Sequence, residues 1–93
     1  MWDLRPQHCI AARQLLGWDR AKLARESGVS IQTVGRFERG DADARYKSIK
    51  ALEKTLTAHG IVFEAGAPRG QSRVCEDGTL VRLVKHPDAS VDT

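Results

Sequence analysis

The sequence predicts a mainly α chain: four short helices followed by a small C-terminal β element. Through four successive segments up to Gly60, apolar residues recur at spacings of three to five, the period of one helix face. These segments open on small polar residues or close on glycine, which is how helix ends are punctuated. Beyond Gly60 the period shortens to β-like runs separated by Gly, Pro and Asp-Gly. At 93 residues there is room for one domain, which buries only roughly 60–65% of its unfolded surface. A thin core that gains from a partner is the expectation.

Each element follows from its residues. Gln7 to Leu16 reads as the first helix, with Pro6 suited to its first turn, a stripe of Ile10, Ala11, Ala12, Leu15 and Leu16, and Gly17 as its stop. Asp19 caps a second helix, Arg20 to Ser27, whose inward face is Leu23 and Ala24. Gly28 ends it after two turns. Ser30 caps a third, Ile31 to about Arg39, with Val34 and Phe37 inward and Gly40 as terminator. A polar turn over 41–44 leads to a fourth, about Arg45 to Ala58, striped by Tyr46, Ile49, Leu52 and Leu56. Ile61-Val62-Phe63 is β-like and 66–70 is a loop. Asp77-Gly78 between 73–76 and 79–85 signals a hairpin with a two-residue type I′ turn. The tail 87–93 is expected to fray.

Apolar residues at 41% and charged residues at 29% suit a globular chain and exclude wholesale disorder. No apolar run approaches membrane-spanning length, and the N-terminus has no secretory h-region. Cys9 and Cys75 are therefore expected as reduced thiols in a cytoplasm. Residues 1–60 carry 11 Lys/Arg against 7 Asp/Glu, whereas residues 61–93 carry 4 against 5. The positive excess thus lies in the helical part. Ten of the fifteen cations are arginine, the side chain whose planar fork fits phosphate and guanine.

The informative stretch is Arg20 to Arg39. Two short helices joined by a tight turn need a small residue where their backbones approach (Ala24) and a residue tolerant of positive φ at the corner (Gly28). Leu23, Val34 and Phe37 anchor the pair, Val29 plugs the corner and Ser30 caps the second member.

Arg20-Ala21-Lys22-Leu23-Ala24-Arg25-Glu26-Ser27-Gly28-Val29-Ser30, then Thr33-Val34, then Phe37-Glu38-Arg39-Gly40, resembles the lambda repressor and Cro type helix-turn-helix, the XRE family. The resemblance covers about Leu4 to Phe63 and extends to a compact subgroup with a short β tail. It departs at Arg20, where glutamine is usual, and at Tyr46, which stands in for a common proline. It implies a lambda-repressor-like four-helix core that binds double-stranded DNA, with the third helix in the major groove. Gln32 would pair with adenine and Arg36 with guanine. Thr33 would touch a thymine methyl or a phosphate, and Ile31 a thymine methyl. Gly35 would leave room for close approach. Phosphates would be held by Arg20, Lys22, Arg39 and Arg45. Arg20 stands out, because a cation at a helix N-terminus opposes the dipole and needs another reason to be there. Arg13 and Glu38 would form a structural ion pair.

Other chemistries find no pattern. His8, His59 and His86 are dispersed, neither cysteine joins them at zinc-like spacing, and no metal or cofactor is expected. No glycine-rich phosphate loop, nucleophile elbow or carboxylate pair marks an enzyme. Trp18 reads as packing between the first two helices, and Trp2 as an exposed end or a subunit contact. In 79–85, Leu80, Val81, Leu83 and Val84 are apolar on both faces and need cover on both. Either a second subunit supplies it, giving a homodimer, or the strands fold back over their own first helix; the homodimer is the expectation. The domains are thus 4–60 for DNA and 61–86 for dimerisation or partner binding. The function read from the chain is a cytoplasmic, nucleoid-associated transcriptional regulator, a repressor on an inverted-repeat operator. The alternative is an antitoxin or adaptor that uses residues 61–93.

Overall fold

The computed structural model describes residues 3–41, 45–66, 74–75 and 77–84. Its order is α1 (Pro6–Leu16), α2 (Arg20–Ser27), α3 (Ile31–Glu38), α4 (Tyr46–Ala58), β1 (Ile61–Glu64) and β2 (Leu80–Leu83). A mainly α fold with a small β element is what the residue periodicity predicts, and it is what forms.

The local signals act where they stand. Asp19 accepts the Lys22 amide at 2.8 Å and Ser30 accepts the Thr33 amide at 3.2 Å, so each opening turn has one of its free N–H groups satisfied. Gly28 ends α2 at φ 76° with its N–H on the Ala24 carbonyl, and α3 then packs against α2. Leu23, Val34 and Phe37 are buried together with Leu4, Cys9, Ala12, Leu52, Leu56, Ile61 and Val81, and Ala24, Trp18 and Ile49 pack around them.

Two stripes differ from expectation. In α1 the buried residues are His8, Cys9 and Ala12, and Ala11, Leu15 and Leu16 pack against the core, so the inward face extends to His8 and Cys9 and Ile10 lies at its margin. In α4, Tyr46 is 62% exposed. As the first residue of the helix it overhangs the core, and Lys50 Nζ sits 5.4 Å from its ring centroid.

The β element differs more. β2 pairs antiparallel with β1, Ile61 opposite Leu83 and Phe63 opposite Val81, while the described residues of the expected partner 73–76 contribute the bridge from Val74 to Leu80. Cys75 N donates to Thr79 O at 2.8 Å and Gly78 N to Cys75 O at 2.9 Å. Three residues thus lie between the facing pair, and Gly78 has φ 85°. That matches the three-residue hairpin closed by a left-handed glycine, one residue longer than a type I′ turn. Ile61 and Val81 point inward and are buried, and β2 packs on α1 of its own chain. On the other face Arg82 bonds Glu64. The inner face is therefore covered within the chain at Ile61 and Val81, while Leu83, at the end of that same face, and Val84 remain exposed. The expectations for Trp2, for most of the 41–44 turn and the 66–70 loop, for Arg73 and Glu76, for His86 and for the tail 87–93 fall outside the described residues.

Candidate nucleic-acid interface

The exposed side of α3 is held in place by a buried charge. Glu38, whose side chain is fully buried, receives four donors. Arg13 forks onto it, Nε to Oε2 and Nη2 to Oε1, both at 2.9 Å. Arg20 Nε reaches Oε1 at 2.9 Å and the Cys9 thiol donates to Oε2 at 3.3 Å. A carboxylate offers about four lone-pair sites, and all are used. Burial pushes the Glu38 carboxyl up, but the bonds from Arg13, Arg20 and Cys9 outweigh it and hold the group below the ordinary glutamate range. Burial and the Glu38 charge push the Cys9 thiol far up, so it stays an S–H donor. Arg13 also donates Nη1 to the Trp18 carbonyl at 3.0 Å, tying α1 to the start of α2.

This network supplies the missing reason for Arg20 at the positive end of α2: Glu38 is its counter-charge. Residue spacing alone does not reveal the link, because the two side chains meet only after α2 and α3 cross.

Arg20, Ile31, Gln32, Gly35, Arg36 and Arg39 line one open hollow of about 420 Å³. Ile31, Gln32, Arg36 and Arg39 are exposed. Arg39, expected on a flanking phosphate, lays its guanidinium over Gly35: a Cβ there would be 3.2 Å from Arg39 Nη1 and 3.9 Å from Arg20 Nη1. Three expected residues lie outside this hollow. Thr33 accepts from Ser30 Oγ at 2.9 Å and lines a neighbouring cleft with Lys47 and Ser48. Lys22 pairs with Glu26 at 3.2 Å and covers the Trp18 ring at 5.7 Å. Arg45 is exposed just before α4.

A pair of short helices joined at a glycine corner, whose second member carries an arginine- and amide-lined outer face, has the form of a nucleic-acid reading head. A family model described as helix-turn-helix matches residues 10–57. The chain belongs to that helix-turn-helix family, in its XRE type. It is a DNA-binding regulator. Among curated proteins none matches it. The family match spans α2 and α3, the helix-turn-helix pair itself, and stops short of β1. Among the described residues no helix is long and apolar enough to cross a membrane.

One grouping that spacing does not predict lies at the other end of this helix-turn-helix protein. The fold brings His8, Cys75 and Asp77 within 4.8 Å of one another. His8 Nδ1 accepts the Arg5 amide at 3.0 Å and Nε2 faces Asp77 Oδ2 at 2.9 Å. An accepting Nδ1 puts the ring proton on Nε2, so that nitrogen is a donor to Asp77 and has no lone pair for a metal. The group is a hydrogen-bonded tether between α1 and the hairpin.

Proposed function

We propose that this regulator represses transcription by occupying an inverted-repeat operator as a homodimer, with α3 of each copy in the major groove. The observation that carries the reading is the hollow shared by Gln32, Arg36, Ile31 and Arg20 on the outer face of α3. Gln32 and Arg36 stand one turn apart on one side of the helix, so an adenine-reading amide and a guanine-reading fork address neighbouring base pairs. Ile31, 46% exposed, offers an apolar surface to a thymine methyl. Thr33, beside Lys47, serves a phosphate or a thymine methyl at the edge of the groove. Arg20, Lys22 and Arg45 serve the backbone, Arg20 through the N–H groups that Glu38 leaves free.

The dimer reading is supported by apolar surface on the β element. Leu83 and Val84 are 45% and 39% exposed, and a cleft of about 490 Å³ between α4 and β1 is lined by Glu53, Thr57, Ile61, Val62 and Phe63. An adaptor or antitoxin would use the same surface for a different protein.

Selection of bound duplexes from a random pool tests the function. The expected result is a short inverted repeat; no enrichment over competitor DNA at moderate salt would refute it. Within the selected site, Arg36→Ala should weaken binding by about 1–3 kcal/mol and relax one base position per half-site, read by titrating single-base variants of the duplex.

A further inference from the structure

We infer that Arg39 is a specificity-determining residue that reads a base pair, and that Gly35 is the positioning residue that puts it there; the inference rests on the DNA-binding reading above. Residues four apart on a helix stack one above the other. Ile31 and Gly35 of α3 and its C-cap residue Arg39, whose backbone is still right-handed, therefore form one row, and Gln32 and Arg36 the next. Val34, Phe37 and Glu38 occupy the inner side, and Gly35 is buried as well. Gly35 shares its row with the exposed Ile31 and Arg39, has no side chain of its own to reach DNA, and has guanidinium atoms of Arg39 and Arg20 within 4 Å of where a Cβ would stand.

Arg39 fills that vacancy. A long side chain on a helix covers the turn N-terminal to its own Cα. Accordingly, the Arg39 Nη1 and Cζ atoms lie 3.2 Å and 3.9 Å from the point where a Gly35 Cβ would stand. The guanidinium is delivered one turn back from the helix end, into the hollow it shares with Gln32 and Arg36. Arg20 Nη1 reaches the same point at 3.9 Å, but Arg20 is held through Nε by Glu38. Arg39 has no carboxylate partner among the described residues.

A helix lying in the major groove turns the middle of its exposed face to base edges and its margins to phosphates. A planar fork in that middle meets base edges, and guanine O6 and N7 form the acceptor pair that matches it. A phosphate contact would require the side chain to leave Gly35 and swing out to a margin.

The test uses the full chain and the duplex selected by the wild type. Arg39→Ala should erase the preference at one G·C pair per half-site, with discrimination there falling roughly 5- to 150-fold, while the pair lost in Arg36→Ala keeps its preference. Gly35→Ala should flatten the same pair by pushing the guanidinium aside. Its melting temperature should hold or rise, since alanine is the better helix former, so misfolding does not explain the loss. A uniform loss in Arg39→Ala on every duplex, with base preferences intact and the salt dependence flattened by about one charge, would overturn the proposal in favour of a phosphate contact. Unchanged binding would overturn it as well. A wild-type chain without any duplex preference is a separate result, seen before any substitution is made; it would end the DNA reading and take this proposal with it.

Discussion

Replacing Glu38 with alanine should destabilise the chain by about 3–5 kcal/mol, because it strands the largely buried Arg13 guanidinium without its counter-charge. Small domains have about 5–15 kcal/mol of total stability, so much of the margin goes. Arg13, with its side chain only 15% exposed, has little solvent to replace a bidentate partner, and Arg20 loses the bond that orients it beside the reading face. Urea denaturation measures the first effect. A midpoint within experimental error of wild type would show that the network contributes nothing. Glu38→Gln keeps the volume but presents an NH2 group to four donors, and should also fall well below wild type, separating the charge from the packing. The same network sets an acid limit. The folded-state carboxyl lies below its ordinary value of 4.5, so its contribution is fully present above that value and is lost as pH falls through the lowered folded value. Stability measured from pH 7 downward should therefore drop on the acid side in the wild type and be flatter in Glu38→Gln.

How much of this was legible in the sequence depends on the range of each interaction. The caps at Asp19 and Ser30 and the corner at Gly28 are decided within four residues, and they stand where the residue pattern puts them. The outer face of α3 follows from helical period once Val34 and Phe37 are placed inward, and Gln32 and Arg36 follow with it. The Arg20–Glu38 bond does not, because it depends on how two helices cross. Nor does the Arg39 position: it requires noticing that the residue one turn before it has no side chain. Tyr46 misleads because periodicity does not say where a helix outruns the core beneath it. In the β element the Asp-Gly signal favours a local hairpin, while burial of Ile61 and Val81 favours pairing across the intervening loop. Burial prevails for β2, and among the described residues the local signal survives as the bridge at Val74 and the hydrogen bonds of Cys75.

That long-range pairing depends on a glycine that looks, in the sequence, like an ordinary helix stop. Gly60 has φ 97°, and a Cβ there would lie 2.2 Å from the backbone oxygen of Val84. The clashing atom is main chain, so no rotamer change relieves it. The same two residues are joined by the Val84 N–H on the Gly60 carbonyl at 2.6 Å, which pins the end of β2 to the start of β1. In Gly60→Ala the backbone conformation alone should cost about 1–3 kcal/mol. Release of β2 would add the roughly 1.5–3 kcal/mol of burying Val81. Loss of hydrogen-exchange protection at the Val84 amide, together with a lower unfolding free energy, is the expected result; full protection would mean that the hairpin end is seated some other way. The variant also separates the two jobs assigned to the chain, since Gly60 is remote in sequence from the reading face on α3. Measured at low temperature where the helices remain folded, affinity for a single half-site should hold. If the β element joins two copies, affinity for the inverted repeat should fall toward that of the half-site, and if it only covers α1 the two-site advantage should survive.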